Sequence, residues 1–192
     1  MMMYYTIIAG ANGVGKTSLY EIIKSSDDLG VRINVDEMVR EQGHWWDSLL
    51  HIAANRRAMK LIADCIKNKT SFHYESTLPA ATTVKQVKKA REAGFQIRMY
   101  YIGVEGLDVA MERVNRRMKR GGHGVNETVM RKRFEDMPQN LKTVLPYCDI
   151  VSFYDNTVRF RQIAVVKGDK VIDCDHILPK WFTVLKDQMG VS

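Results

Sequence analysis

The chain has 192 residues, 45% of them apolar and 27% charged, the balance of one folded domain, which excludes disordered, collagen-like and mucin-like classes. No run approaches the ~18 apolar residues of a membrane helix, the opening nine residues lack a basic segment leading into a long apolar run, and Cys65, Cys148 and Cys174 form no CxxC pair, so a cytoplasmic chain with neither membrane segment nor disulfide framework is expected. The net charge is +7, and residues 113–133 carry eight basic side chains against Glu127 alone, so that window calls for a bound polyanion: the phosphates of a small molecule or a nucleic acid.

Residues 4–9 are an apolar, aromatic and β-branched run closed by Gly10, the pattern of a buried strand. A helix starts near Gly15, and 31–35 is a second short strand closed by Asp36. Residues 46–68 carry helical periodicity through Leu49, Ala53, Met59, Ile62 and Ile66. A third strand over 70–74 ends at Glu75. Pro79 then opens a helix that Gly94 closes, and 95–102 is a fourth strand. Residues 106–119 are helical, Gly121-Gly122-His123-Gly124 breaks that helix, and Asn126 caps another that Pro138 interrupts or restarts. A fifth strand follows over 149–154. Residues 161–166 and 170–173, joined by Gly168-Asp169, read as a hairpin, and the last helix carries Trp181, Phe182 and Leu185, expected to pack on the domain. Strands alternating with helices imply a mostly parallel sheet covered on both faces, a three-layer α/β/α sandwich. One domain is expected over 1–192, with a basic lid near 113–133 and a C-terminal hairpin and helix over 158–189.

Directly after the first strand stands Gly10-Ala11-Asn12-Gly13-Val14-Gly15-Lys16-Thr17, a complete G-x-x-x-x-G-K-[ST] phosphate loop of Walker A type in the required strand–loop–helix context, followed by Ser18. Such a loop turns backbone N–H groups and a helix N-terminus toward anionic oxygens. Lys16 belongs at the β- and γ-phosphates of ATP, and the Thr17 hydroxyl can ligate Mg²⁺. Motor ATPases, GTPases and small-molecule kinases share this loop. The chain has no N-K-x-D guanine motif, and the acids of Asp36-Glu37 come too soon after Lys16 for a motor ATPase, which places a kinase first.

Ligands of an open parallel sheet bind beyond the carboxyl ends of its strands, where the sequence offers Asn34 and Asp36 after strand two and Glu75, Ser76 and Thr77 after strand three. Phosphoryl transfer needs a group that orients and deprotonates the attacking hydroxyl, and Asp36 is the candidate base. Glu75 is a candidate for the acceptor's hydroxyls or a water on Mg²⁺. Arg113, Arg117 and Arg120 lie at i, i+4 and i+7 on one helical face beside Leu107, Met111, Val114 and Met118, so they are candidates for phosphate contacts delivered by a lid, with the glycines around His123 supplying its flexibility. His123 itself stays ambiguous between a structural and a catalytic role. A nucleic-acid-binding ATPase or RNA-end kinase using the basic window is the alternative. It ranks lower because the window lacks the interleaved aromatics of a strand-binding platform.

Taken together, these residues resemble the zeta toxin family of P-loop kinases over nearly the whole chain. The resemblance rests on the loop at 10–17, Asn34-Val35-Asp36-Glu37, the segment from Phe72 through Glu75 and Thr77 to Leu78, Gly94-Phe95, Arg113 to Arg117 running into Gly121-Gly122-His123, Arg131-Lys132-Arg133-Phe134, Asn140-Leu141 and Tyr154-Asp155-Asn156. It implies ATP and Mg²⁺ as cofactors and, as in characterised members, the 3′-hydroxyl of the sugar in UDP-N-acetylglucosamine as acceptor. Asp36 matches the family's acceptor-binding base, Lys16 and Thr17 its ATP and metal contacts, Glu75 and Thr77 its acceptor-side segment, and Arg113 a phosphate-contacting arginine. The second lid arginine is Arg117 or Arg120. An antitoxin partner is a further implication.

Overall fold

The computed structural model describes residues 2–191. In chain order the elements are β1 (Tyr4–Ala9), α1 (Lys16–Ile23), β2 (Val31–Ile33), α2 (Val35–Gln42), α3 (Ser48–Lys67), β3 (Phe72–Ser76), α4 (Ala80–Glu92), β4 (Gln96–Gly103), α5 (Leu107–Lys119), α6 (Glu127–Val144), a 3₁₀ turn (Leu145–Tyr147), β5 (Ile150–Asp155), β6 (Arg161–Lys167), β7 (Lys170–Cys174) and α7 (Lys180–Met189). The sheet runs β2-β3-β1-β4-β5-β6-β7; the first five strands are parallel, and the β6–β7 hairpin extends it antiparallel to β5. This is the expected α/β architecture with its C-terminal hairpin and helix. Residues 5 to 9 of β1 are all buried, as a central parallel strand covered on both faces must be.

The order places the functional edge. From β1 the chain first fills the β3–β2 side and then crosses to β4 and β5, so β1 stands at the topological switch point, where ligands bind. Register aligns the strand ends there: Ala9 pairs with Ser76 of β3 and with Tyr101 of β4, which puts the loop after β1 beside Glu75.

Several boundaries differ from the sequence reading. Strand β2 stops at Ile33, because Asn34 caps a helix: its side-chain oxygen accepts the Glu37 N–H at 3.2 Å. Asp36 therefore sits in the first turn of α2 rather than closing a strand. In α3 the buried face is Ala54, Ala58, Ile62 and Cys65, whereas Leu49 is 73% exposed. Helix α6 runs unbroken through Pro138, because Met130, Met137, Leu141 and Val144 bury a continuous stripe that offsets the lost backbone bond.

As expected, α7 packs on the domain. Phe182 is fully buried beside Phe153, the Trp181 indole covers Gly103, where a Cβ would lie 2.5 Å from the ring, and its Nε1–H donates to Asp155 at 2.9 Å. Phe182→Ala is expected to lower stability by about 3–5 kcal/mol, read as a drop in the urea midpoint with unchanged slope.

His73 lies in β3 at 1% exposure, with its Nδ1 3.2 Å from the Leu29 carbonyl, its ring stacked on Tyr20, and no partner for Nε2 among the described residues. Burial, reinforced by the positive charges of Arg32 and Arg98, pulls its pKa down to about 4 against the backbone bond. Below the ordinary histidine value the unfolded chain takes up a proton that the native ring refuses. Stability is therefore lost as pH falls from about 6.5 toward 4, by about 3 kcal/mol at most. A His73→Phe variant should show a flatter urea midpoint across that window than the parent chain.

Candidate active site

The phosphate loop closes tightly around its glycines. Gly13 adopts φ +83° where a Cβ would sit 2.3 Å from the Ala110 carbonyl, and Gly15 adopts φ +104° where a Cβ would meet Asn156 Nδ2 at 2.6 Å. Only glycine combines that backbone with that approach. Asn156 holds the loop from the β5–β6 connection by donating Nδ2–H to the Val14 carbonyl at 2.8 Å, and Arg133 of α6 donates to Asn12 Oδ1 at 3.0 Å. Lys16 Nζ donates to the carbonyls of Gly10 and Ala11 at 3.0 and 3.1 Å. Burial lowers its pKa, and the carboxylates of Asp36 and Glu75 oppose that shift.

Thr17 Oγ1 donates to Glu75 Oε2 at 2.9 Å, so the loop's hydroxyl and the acid at the end of β3 share one point. Glu75 is nearly inaccessible. Burial raises its pKa, and the Thr17 bond and the charges of Lys16 and Arg32 counter that rise. Arg32 is the organiser of this corner. Its Nη2 lies 3.2 Å from Glu75 Oε1 and 2.5 Å from Glu37 Oε1, while its guanidinium rests 3.7 Å from the centre of the Tyr20 ring.

Lys16, Thr17 and Glu75 line a cavity of about 630 Å³, and Arg32 lies outside its lining. From the loop, Asn12, Gly13, Gly15, Lys16, Thr17 and Ser18 reach it, and Asn34, Asp36, Glu75, Arg113 and Arg117 face it from the surrounding elements. Gly10, Ala11 and Val14 form the buried back of the loop. Thr77 is half-buried outside the lining, because the chain turns away at Ser76, whose Oγ accepts the Leu78 N–H at 2.9 Å. Arg120 ends α5 on the exposed surface, also outside the cavity, so of the two alternatives Arg117 is the one at the site. Arg113 Nη2 donates to the carbonyls of Asn156 and Thr157 at 2.7 and 3.0 Å, and its buried Nη1 has no partner among the described residues.

Residues that sequence reasoning did not place at the site are Arg32, Glu37, Arg40, Phe160 and the anchoring role of Asn156. His123, left ambiguous, lines the cavity with Nε2 3.4 Å from Asp36 Oδ1. The N-x-x-E spacing of Asn34 and Glu37 announces the helix that carries Asp36, and Asn156 stands in the Tyr154-Asp155-Asn156 segment of the resemblance without a role. The basic window divides in two. Arg113 and Arg117 face the cavity and Arg133 holds the loop, whereas Arg116, Arg131 and Lys132 pair on the surface with Glu112, Glu127 and Asp136 four residues away.

Oxygen donors at Thr17 and Glu75 suit a hard cation such as Mg²⁺, which binds through one or two protein oxygens plus phosphates. The half-used guanidinium of Arg113, Lys16 resting on loop carbonyls, and the glycine cradle suit a nucleotide triphosphate. Among the described residues no helix is long and apolar enough to cross a membrane.

A family model described as zeta toxin matches residues 4–164. An uncharacterized protein of Haemophilus influenzae is 30% identical over 125 residues, covering 65% of this chain and 88% of that protein. A structure from the PezAT chromosomal toxin-antitoxin system of Streptococcus pneumoniae superposes with a TM-score of 0.61 at 15% identity, over 81% of this chain and 69% of that one. The AvrRxo1-ORF1:-ORF2 structure with ATP gives a TM-score of 0.72 at 13% identity; the match covers 96% of this chain but 64% of that one, which is the longer.

Proposed function

The chain belongs to the zeta toxin family and is a P-loop phosphotransferase, and from that premise we propose that it transfers the γ-phosphoryl group of ATP, with Mg²⁺, to a hydroxyl of a small molecule, UDP-N-acetylglucosamine foremost. The observation that carries this reading is the meeting in one cavity of a phosphate loop, an oxygen pair for a cation, two arginines and a separate, partly exposed carboxylate, Asp36, whose side chain is 48% accessible.

Each residue has a distinct task. Lys16 and the loop N–H groups hold the phosphates, Thr17 and Glu75 would hold Mg²⁺ directly or through water, and Arg113 and Arg117 neutralise charge on the transferring group. A cation held there would supply neutralising charge to the phosphate oxygens. Asp36 accepts the proton of the acceptor hydroxyl as that oxygen forms its new bond to phosphorus. The bond to the bridging oxygen breaks, ADP leaves, and the product is a phosphate ester. Asn34 caps the helix that holds Asp36 and supports the acceptor side of the cavity. The ATP in one neighbouring structure, and the origin of another in a toxin–antitoxin system, support ATP as donor and an antitoxin as protein partner. The surface ion pairs of the basic window weigh against a nucleic-acid groove, since Arg116, Arg131 and Lys132 are matched by acids at helical spacing, which leaves Lys119 and Arg120 as its outward cations without an ion pair among the described residues.

The test is to incubate the purified chain with Mg²⁺-ATP and a panel of UDP-sugars, nucleotides and short RNAs, and to read acceptor mass. One added phosphate on UDP-N-acetylglucosamine is the expected result. Phosphate on RNA ends in its place would replace this reading with the nucleic-acid one.

A further inference from the structure

His123 enters the site through a fitted socket. Gly122 lies against Arg117, where a Cβ would come 2.6 Å from its Cγ and 3.0 Å from its carbonyl oxygen; at Gly124 a Cβ would come 2.6 Å from the Trp45 ring. The chain passes between these two walls only because neither position carries a side chain. The Gly-Gly-His-Gly run, read from sequence as lid flexibility, instead seats one imidazole closely. The ring lies 5.8 Å from the Trp45 ring and 5.5 Å from the His51 ring, centre to centre, and its side chain is 13% exposed. His51 is itself fixed, with Nε2 2.7 Å from the Trp45 carbonyl.

The groups facing this imidazole are Asp36 from α2, His51 from α3, Arg117 from α5 and Arg133 from α6. Burial, joined by the two arginines and His51, lowers the pKa of the ring, and Asp36 alone opposes them. The ring is therefore neutral at neutral pH and carries one N–H. An ionised carboxylate only accepts hydrogen bonds, so the proton belongs on Nε2, 3.4 Å from Asp36 Oδ1. That separation is long for a finished bond, as such bonds commonly are before substrate tightens the site. Nδ1 is buried, with no partner among the described residues.

We propose that His123 is the positioning residue of the base: its Nε2–H engages Asp36 Oδ1 and turns the carboxylate so that Oδ2 receives the acceptor's proton. The proposal rests on the reading of Asp36 as base. It ties base alignment to seating of the glycine loop, so the site is complete only when the segment between α5 and α6 is in place.

Two measurements test it. Imidazole ¹⁵N spectra should show the Nε2–H tautomer at His123, and Asp36→Asn should lower the titration midpoint of that ring, because the carboxylate is what holds it up. In turnover of Mg²⁺-ATP with UDP-N-acetylglucosamine, followed as ADP release and acceptor phosphorylation, His123→Phe keeps a ring without the donor and should lose about 10- to 100-fold in kcat with KM for ATP unchanged. His123→Gln, which restores an N–H at similar reach, should recover most of that loss, a rescue that packing alone does not predict. A midpoint unmoved by Asp36→Asn, or wild-type kcat in His123→Phe while Asp36→Asn is inactive, would overturn the role of His123 and leave the base reading standing. Full transfer by Asp36→Asn would remove the base reading and with it the purpose of the pair.

Discussion

Asp36→Asn is expected to lower phosphoryl transfer by about 10²- to 10⁴-fold while the Kd for ATP changes by less than about twofold. The asymmetry follows from where Asp36 stands. It lies in the first turn of α2, on an element separate from the phosphate loop, and among the described residues the basic side chain within 4 Å of its carboxylate is the neutral imidazole of His123 rather than Lys16 or a lid arginine. Asparagine keeps the shape and the helix start but cannot accept the acceptor's proton. Equilibrium ATP binding and single-turnover transfer on the same preparation separate the two effects. Equal losses in both would make Asp36 part of the nucleotide site.

The second large effect is expected at Arg117. Arg113 is tethered to the Asn156 and Thr157 carbonyls, whereas Arg117 faces the cavity without an ion pair among the described residues. A guanidinium so placed stabilises charge spread over the transferring phosphoryl oxygens, and its removal typically costs about 10³-fold or more in rate. Arg117→Ala should therefore lose about 10³-fold in kcat, and Arg120→Ala, on the exposed end of α5, should stay near the parent rate. Because Arg117 also walls the socket of Gly122, Arg117→Lys serves as control: the stem remains, the planar fork is gone, and a large part of the loss should persist. Equal losses at positions 117 and 120 would contradict this division.

What the sequence made legible was local. The phosphate loop is eight contiguous residues, and the strands of the parallel sheet are short apolar runs between glycines and acids, so both could be read from neighbours along the chain. The distribution of charge was legible only as a sum. Its window stopped one residue short of Glu112 and three short of Asp136, the acids that pair with Arg116 and Lys132. Arg32 escaped notice because its importance is the meeting of Glu37, Glu75 and Tyr20, and the pairing with Glu75 spans 43 positions of chain. Asn156 was singled out only as part of a resembling segment, and its anchoring role escaped, since it reaches Val14 only after β5 has been laid beside β4. Pro138 misled because proline's local penalty is visible in sequence, while the buried stripe that offsets it depends on what α6 packs against. The glycines around His123 misled for the same reason. A missing Cβ permits motion when space is open and close packing when it is not, and only the walls decide which.

As proposed, this cleft moves a phosphoryl group from ATP to a hydroxyl with Asp36 as base. The most direct measurement is mass spectrometry of UDP-N-acetylglucosamine after a single turnover with pre-bound Mg²⁺-ATP, in the parent chain and in Asp36→Asn at equal ATP occupancy. One added phosphate is expected with the parent and none with the variant over the same interval. Phosphorylation at equal rates in both, or ADP formed by the parent with no phosphate on the sugar nucleotide, would contradict it.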